Sequence, residues 1–296
     1  MWNQGDRFLT RCEERKGQEM KASIEDVWRE SADLICKTCE TSGRKKIVVG
    51  LSGGIDSAVV AKLATLALGT ENVHGVLLPV KDDQKATDDA IKIANHLKIE
   101  YEIVNLSDTY KKMNLCTNAD GSESSILGEE AGEPDHVRLG NIRARLRMVV
   151  LYDRAYVLGA LVAGTGNLSE MMTGYFTKHG DGACDLLPIA HLFKTEVREV
   201  AKHLELPEWL LNKKPSAGLW PGQTDEDQLG ISYDNLDHIL MCMLDREKRG
   251  EPINAEILSK ETGINKLTVE SVEERICKNR HKWKPIPQIT SRATLS

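Results

Sequence analysis

The chain has 296 residues, of which 41% are hydrophobic and 28% charged, and its formal net charge is −6. Such a chain can bury a sizeable core, and no apolar run approaches the roughly 18 residues that a transmembrane helix needs. The mildly negative charge argues against a broad nucleic-acid surface, and the first twenty residues lack the apolar segment of a secretory signal. Seven cysteines, an odd number, are scattered along the chain, which favours reduced thiols in the cytoplasm.

Helices and strands are predicted to alternate after a charged amino-terminal arm. Residues 1–21 are expected to be a loosely ordered arm, and the apolar spacing over 22–40 predicts an amphipathic helix. A β-branched run then starts an alternating series, broken by a polar, glycine-rich loop over 114–136. The predicted elements of this series are strands at 47–49, 73–80, 101–106 and 158–163 and helices at 58–64, 88–97 and 141–156.

The chain beyond residue 190 is predicted to be helical. The expected helices cover 195–204, 233–244, 254–263 and 266–279. Strands that alternate with helices indicate an α/β fold with a doubly wound, mostly parallel sheet flanked by helices, and the last helices are a C-terminal elaboration of it. Residues 22–296 are expected to form a single domain. Ligands of such sheets bind beyond the carboxyl ends of the strands, where the polar turns 52–57 and 164–170 lie.

The first of these turns is a predicted phosphate site. Residues 52–57 read Ser-Gly-Gly-Ile-Asp-Ser between a strand and a helix. The glycines let the backbone approach a phosphate, and the N–H groups at the helix start point towards it. No lysine follows the glycines, so this is not a GxxxxGK[ST] loop. A carboxylate beside phosphates repels them unless a cation intervenes, so Asp56 indicates Mg²⁺. The alternative is an ordinary strand-to-helix turn.

The second turn reads Gly-Thr-Gly-Asn-Leu-Ser-Glu over 164–170 and also follows a predicted strand. Glu170 could give a second carboxylate to Mg²⁺, and Thr165 a hydroxyl towards a nucleotide. The same residues fit a simple capped helix start, with Asn167 as the cap and Glu170 three positions later. Position alone leaves both interpretations open.

The first turn resembles the pyrophosphate-binding loop of the ATP pyrophosphatases, which cleave ATP between its α- and β-phosphates. Four further stretches, at 141–148, 173–185, 192–199 and 214–226, resemble the ammonia-dependent NAD⁺ synthetase family. This resemblance runs from about residue 24 to residue 282. The sequence departs from the family pattern at Leu168, where lysine is usual, and at Leu187, where asparagine is usual.

The resemblance implies that nicotinic acid adenine dinucleotide (deamido-NAD⁺) is adenylated by ATP, with release of pyrophosphate, and that ammonia then displaces AMP to give NAD⁺. It implies Mg²⁺ as cofactor, bound by Asp56 and Glu170, and catalytic roles for Asp56, Glu170, Lys194 and Asp185. The implied ATP contacts are Gly50, Leu51, Ser52, Gly53, Gly54, Ile55, Asp56, Ser57, Thr165, Lys194 and Ser216. The implied deamido-NAD⁺ contacts are Arg145, Lys178, Asp185, His281 and Lys282.

The resemblance also implies a homodimer, with the helix at 141–156 as a contact, and partners that are small molecules rather than nucleic acid or membrane. Ammonia is expected to be the direct nitrogen donor, because too few residues precede the first strand for the amidase domain of glutamine-dependent synthetases. Asp181 and Asp185 are both candidates for the proton acceptor in the ammonia step. The alternatives are another ATP pyrophosphatase, such as a GMP synthetase or a tRNA-thiolating enzyme, and a non-catalytic adenine-nucleotide sensor.

Overall fold

The structure, a computed structural model, describes residues 23–80, 84–113, 115–117, 123–125, 133–216, 218 and 222–284. The predicted arm at 1–21 lies outside these residues and stays a prediction. Among the described helices, none combines the length and the apolar character needed to cross a membrane.

A parallel sheet forms the centre of the fold, as predicted. Its strands are β1 (Lys46–Gly50), β2 (Val73–Leu77), β3 (Glu100–Ile103) and β6 (Ala160–Ala163), in the order β3-β2-β1-β6. A single parallel bridge from Ala163 to Leu186 continues the sheet beyond β6. Because β1 and β6 are hydrogen-bonded neighbours, the turns that follow them emerge side by side at one edge of the sheet.

The region 114–136 differs from its prediction as a loop. Two short strands, β4 (Leu115–Thr117) and β5 (Glu123–Ser125), pair antiparallel there, and the next helix begins at Glu133. Three-residue strands are too short to show a period of two in the sequence, which explains why they were missed.

The predicted helices are confirmed with shifted ends, and four short helices were not predicted as such. In the first half the helices are α1 (Ile24–Ser42), α2 (Ile55–Leu68), α3 (Gln84–Leu97), α4 (Ser107–Met113) and α5 (Glu133–Leu158). In the second half they are α6 (Leu168–Thr173), α7 (Lys194–His203), α8 (Glu208–Leu211), α9 (Asp225–Leu229), α10 (Tyr233–Arg249), α11 (Ala255–Thr262) and α12 (Lys266–Asn279).

β1 and β6 are buried on both faces, which is why they are apolar rather than alternating, whereas the edge strand β3 carries Glu100 and Glu102. Ile47 and Val49 pack into a core formed with α1, α2, α3 and α7, whereas Val48 packs on the opposite face with α4 and α5. The C-terminal helices α10, α11 and α12 bury a second core together with Met172 of α6. This second core is the predicted C-terminal elaboration, and it places α10 behind the turn that follows β6.

Candidate active site

The two serines of the turn between β1 and α2 fix its conformation by hydrogen bonds to each other and to the backbone of the turn. Ser57 Oγ donates to the carbonyl of Gly54 (3.0 Å) and accepts from the amide of Ser52 (3.3 Å), and the two serine hydroxyls lie 3.2 Å apart. Gly53 has φ +75°, and a Cβ there would lie 2.6 Å from the carbonyl oxygen of Ala86. Glycine is therefore required at position 53 both for its backbone conformation and for its close approach to α3.

The start of α2 faces this turn without a side-chain cap. Gly54 is the N-cap residue and makes no side-chain hydrogen bond to the helix, and Asp56 lies in the first turn. The first N–H groups of a helix have no partner within it, and the helix dipole favours an anion beside them. The turn thus has the geometry that the sequence predicted for a phosphate cradle.

The turn after β6 forms the capping box that the sequence suggested. Asn167 Oδ1 accepts from the amide of Glu170 (3.0 Å), and Glu170 Oε2 accepts from the amide of Asn167 (3.1 Å). Asn167 is fully buried, and its Nδ2 donates to Asp56 Oδ1 at 3.1 Å. The structure therefore combines the two interpretations of this segment: Glu170 caps α6 through one oxygen, and Asn167 links that cap to Asp56.

Three residues that were expected to be catalytic come together between the two turns. The ammonium group of Lys194, at the start of α7, forms an ion pair with Asp56 and lies 3.9 Å from Glu170 Oε1. The Lys194 side chain is 2% exposed, whereas the two carboxylate side chains are 17% and 18% exposed. The lysine thus lies beneath the carboxylates, which keep their contact with solvent.

The electrostatics of this cluster favour a further cation. Burial, and next the charge of Asp56, raise the pKa of Glu170 well above its usual value. Burial alone would lower the pKa of Lys194, but the negative charges of Asp56 and Glu170 together have the larger effect, so the pKa of Lys194 is raised. Asp225, at the start of α9, is 4% exposed and adds a third nearby carboxylate. Asp56, Glu170 and Asp225 thus surround one ammonium group, and a divalent cation beside the two partly exposed carboxylates would favour the ionised form of Glu170.

The residues present fit the predicted Mg²⁺. Protein sites for Mg²⁺ commonly supply only one or two carboxylates, because substrate phosphates and water complete the coordination. Asp56 and Glu170 provide two partly exposed carboxylates beside the phosphate cradle. Within the described part of the chain, no group of three or more His, Cys, Asp or Glu residues could hold a metal on its own.

Lys213 is a site residue that the sequence analysis missed. Its ammonium donates to the carbonyl of Gly53 (2.9 Å) and to Asp89 Oδ2 (2.7 Å), so it joins the phosphate cradle to α3. Lys213 directly precedes the 214–226 stretch that carried the resemblance, and three positions separate it from the predicted ATP contact Ser216. Ser216 is exposed and accepts at Oγ from the amide of Gly218 (3.1 Å).

The aromatic floor of the site was also missed. The ring of Tyr233, fully buried on α10, lies 5.3 Å from the ammonium of Lys194. Its hydroxyl donates to Asp225 Oδ2 (3.3 Å), and the hydroxyl of Tyr175 donates to Asp225 Oδ1 (3.1 Å). Tyr175 lies in the quoted 173–185 stretch, whereas Tyr233 looks in sequence like any core residue of an amphipathic helix.

Four of the five predicted deamido-NAD⁺ contacts meet around residues 174–178. Arg145 donates to the carbonyl of Lys178 through Nε (3.3 Å) and Nη2 (3.2 Å), and Lys178 Nζ donates to the carbonyl of His281 (3.3 Å). Lys282 Nζ donates to the carbonyls of Gly174 (2.6 Å) and Phe176 (2.9 Å). Lys282 thus reaches back to this segment, whereas the His281 ring is exposed and hydrogen-bonds with the carbonyl of Lys278 (3.2 Å).

Asp185 lies beside β6 rather than within that group. Its Oδ2 accepts from the amide of Val162 (2.7 Å), and its Oδ1 accepts from the Tyr152 hydroxyl (3.4 Å). Burial, and next the charge of Asp185, raise the pKa of Tyr152 to about 12. The other candidate proton acceptor, Asp181, accepts at Oδ1 from the amide of Thr177 (2.9 Å). The two aspartates therefore differ in surroundings, with Asp185 attached to the sheet.

Thr165 and the two departures from the family pattern all lie around the turn after β6. Thr165 is half-buried between β6 and α6. Leu168 packs against the C-terminal core, and its amide donates to the carbonyl of Leu192 (2.7 Å). Leu187 lies so close to Gly164 that a Cβ on that glycine would be 2.8 Å from Leu187 Cδ2. Both leucines are half-buried and pack against neighbouring residues of this region.

Comparison with known proteins gives one consistent result. Residues 27–286 match the protein family described as NAD synthase. An NH(3)-dependent NAD(+) synthetase of Pyrococcus horikoshii is 47% identical over 250 residues, which cover 84% of this chain and 90% of that protein. An NMN synthetase structure from Francisella tularensis gives a TM-score of 0.72 at 31% identity, covering 92% of this chain and 100% of that one. The structure of an NH3-dependent NAD synthetase from Campylobacter jejuni, in complex with the nitrate ion, gives a TM-score of 0.70 at 29% identity. The match covers 91% of this chain and 100% of that one.

Proposed function

Since the chain belongs to the NAD synthase family, its reaction is the ATP-dependent amidation of deamido-NAD⁺ with ammonia, and we propose that the Asp56–Glu170–Lys194 cluster is where ATP is cleaved. The observation that carries this proposal is the buried Lys194, held between two carboxylates where the turns after β1 and β6 meet. An ordinary strand-to-helix turn has no need of such an arrangement.

The first step joins the nicotinate carboxylate of the dinucleotide to the α-phosphate of ATP and releases pyrophosphate. A carboxylate is a poor acyl donor because it would have to expel oxide, whereas its adenylate has AMP as a good leaving group. The departing pyrophosphate gains negative charge, which the N–H groups at the start of α2 and the Lys194 ammonium are placed to stabilise. Asp56 and Glu170 would hold Mg²⁺, which neutralises phosphate charge when it is bound.

The remaining predicted ATP contacts lie around the same two turns. Gly50 to Ser57 are proposed to hold the phosphates, and Thr165 the nucleotide, because both turns end neighbouring strands of the sheet. Ser216 is proposed to contact ATP because Lys213 ties its segment to the carbonyl of Gly53. Positioning and charge neutralisation suffice for this step, so no covalent nucleophile is invoked.

The segment at 174–178 is proposed to bind deamido-NAD⁺. Arg145, Lys178 and Lys282 bring basic side chains there, and basic groups suit the diphosphate of a dinucleotide. His281, whose carbonyl accepts from Lys178, is proposed to contact the same substrate. Burial lowers the pKa of the Lys282 ammonium, although Asp181 partly opposes that effect. Asp185 is proposed to contact the same substrate from the edge of β6.

The second step needs a proton acceptor, because ammonia rather than ammonium attacks the adenylate. We keep both aspartates as candidates, and their asparagine variants distinguish them. Loss of the proton acceptor should lower the rate of amidation more than the rate of adenylation. Asp181→Asn and Asp185→Asn are therefore compared for NAD⁺ formation and for the exchange of labelled pyrophosphate into ATP, which reports the first step alone.

The direct test of function is to mix the protein with Mg-ATP, ammonium and deamido-NAD⁺ and to measure NAD⁺, AMP and pyrophosphate. Equal amounts of the three products are expected. Nicotinate mononucleotide is the informative second substrate, because one similar structure is an NMN synthetase. Preference for the mononucleotide would contradict the proposed dinucleotide. Release of pyrophosphate only with a guanine-nucleotide precursor or tRNA, or no release at all, would support the alternatives.

We propose that the protein is a homodimer that uses α5 as a contact. Three apolar side chains of this helix are largely exposed: Val149 (58%), Tyr156 (86%) and Val157 (64%). Exposed apolar surface on one helix is common at interfaces between subunits. Val149→Glu should give a monomer by light scattering, whereas Leu267→Glu, at a 73% exposed leucine on α12, should not. A wild-type monomer with full activity would contradict the proposal.

Residues 22–296 are proposed to be one domain, which is supported by the packing of α6 and α7 between the sheet and the C-terminal helices. Limited proteolysis that releases a stable fragment of either half would contradict this. A cytoplasmic location is proposed as well, since the five described cysteines are free thiols, which suit a reducing compartment.

A further inference from the structure

The helix that carries Lys194, α7, has no side-chain acceptor at its N-cap residue, although Glu196 Oε2 accepts from the amide of that residue (2.8 Å). Phe193 is the N-cap residue of α7, and its side chain has no hydrogen-bond acceptor. Residues with a side-chain oxygen are strongly preferred at this position, because they bind the N–H groups at the helix start. The first N–H groups of α7 must therefore find partners elsewhere in the fold.

Those partners come from two other helices. The amide of Lys194 donates to Ser169 Oγ of α6 (2.9 Å), and the amide of Thr195 donates to Asp237 Oδ2 of α10 (2.9 Å). Ser169 Oγ in turn donates to Asp237 Oδ1 at 2.5 Å. Ser169 and Asp237 are both fully buried, so the network is closed to solvent.

This network touches both ends of the proposed catalytic cluster. Ser169 directly precedes Glu170, and its hydroxyl binds the backbone of Lys194. One turn before Asp237 on the same helix, the Tyr233 ring lies 5.3 Å from the Lys194 ammonium. Residues four positions apart lie on the same face of a helix, so α10 supports Lys194 at its backbone and at its charged end.

We propose that Asp237 is a positioning residue of the reaction: through Ser169 and the start of α7, it fixes Lys194 and Glu170 relative to Asp56. Asp237 is fully buried behind the cluster and so acts through other residues, without touching a substrate. Burying a carboxylate is costly, and a serine or threonine in place of Phe193 would cap α7 at less cost. The carboxylate has a feature that such a local cap lacks, because its two oxygens join α7 and α6 at once.

The proposal rests on the proposed function, and wild-type NAD⁺ formation tests that function separately. In Asp237→Ala, we expect kcat per folded molecule to fall about 10- to 100-fold, since misplacement of a catalytic group by about 1 Å has effects of this size. The KM for deamido-NAD⁺ should change less than twofold, because its proposed contacts lie around 174–178. A merely structural role would lower the melting temperature and leave both kinetic constants of the folded protein unchanged.

Asp237→Asn is the conservative variant. Its amide oxygen can accept from Thr195 and its amide nitrogen can donate to Ser169 Oγ, so both links survive without the charge. We expect it to recover most of the kcat lost in Asp237→Ala. Ser169→Ala removes the hydroxyl that binds the Lys194 amide. Because both residues belong to one network, the double variant with Asp237→Ala should have a kcat little lower than that of either single variant. If Asp237→Ala does not fold, Ser169→Ala is measured against the same expectation of a reduced kcat.

Asp234→Ala is the matched control. Asp234 lies on the same helix, its side chain is 79% exposed, and it pairs with Arg198 of α7 at 3.6 Å. It therefore removes a carboxylate between the same two helices without touching the network, and its kcat should stay within twofold of wild type. Unchanged kcat in folded Asp237→Ala and Ser169→Ala, or an equal fall in Asp234→Ala, would overturn the proposal.

Discussion

Replacing Lys194 with methionine keeps most of the buried side-chain volume but removes a positive charge from between two carboxylates. Lys194 is 2% exposed, and its partners Asp56 and Glu170 are 17% and 18% exposed. Removing one partner of a buried ion pair typically costs about 3–5 kcal/mol, because the remaining charge is left uncompensated. The partly exposed carboxylates keep some solvent, so we expect a loss near 3 kcal/mol, at the lower end of that range.

With an unfolding entropy of about 2.1 cal/mol/K per residue over 296 residues, about 3 kcal/mol corresponds to a fall in melting temperature of roughly 5 °C. Calorimetry without nucleotide or metal measures this directly. Adding Mg-ATP should stabilise the variant, because a divalent cation can take over part of the missing charge. Steady-state NAD⁺ formation should show kcat reduced about 10²- to 10³-fold, as for the loss of one group that stabilises developing charge.

The control is Lys92→Met. Lys92 also pairs with a buried carboxylate, Asp89, at 3.1 Å, but its own side chain is 62% exposed. An exposed ion pair contributes about 0–1 kcal/mol, so this variant should melt within a few degrees of wild type. A Lys194→Met protein that melts within 2 °C of wild type and turns over within twofold of it would refute the assigned role of the buried lysine.

Asp56→Asn should retain the fold and lose most activity, because the amide cannot replace a carboxylate ligand; normal turnover across a Mg²⁺ titration would contradict the metal site. Burial and Asp56 raise the pKa of Glu170, so the folded state binds that proton more tightly than the unfolded chain does, and this group's contribution to stability falls as pH rises from the usual glutamate pKa towards the raised one. Glu170→Gln should lack this pH dependence of the free energy of unfolding and should be more stable than wild type at pH 7 without ligands. Urea unfolding from pH 5 to 8 measures the free energy for both proteins, and an identical pH dependence would contradict the prediction. Lys178→Ala should raise the KM for deamido-NAD⁺ with little change in ATP affinity, and an equal loss of both would place the residue elsewhere. With glutamine free of ammonium, the purified chain should form almost no NAD⁺; formation at the ammonium rate, with glutamate in step, would show a different nitrogen donor.

Local sequence patterns predicted the layer order of the fold and the two turns that form the candidate site. Apolar strands that alternate with helices need helices on both faces of a parallel sheet, which predicts a doubly wound fold, and the structure confirms it. The turns at 52–57 and 164–170 were readable because glycines and capping residues leave local signals, and strand order then placed the turns together. The long motifs supplied the family, and the match over residues 27–286 confirms it.

Which distant groups complete the candidate site could not be predicted, because tertiary packing brings them there. Lys213 bonds to the carbonyl of Gly53, 160 positions away, and Asp237 binds Ser169 at a separation of 68 positions. In sequence, Lys213 is an ordinary surface lysine, and Asp237 interrupts the apolar face of α10 without explanation. In the sequence, Phe193 at the start of α7 has no side-chain acceptor to cap that helix. The sequence does not show that Ser169 and Asp237 bind the first N–H groups instead. Periodicity and local motifs report which face of an element is buried, whereas the partner of a buried polar group is set by how helices from different parts of the chain pack together.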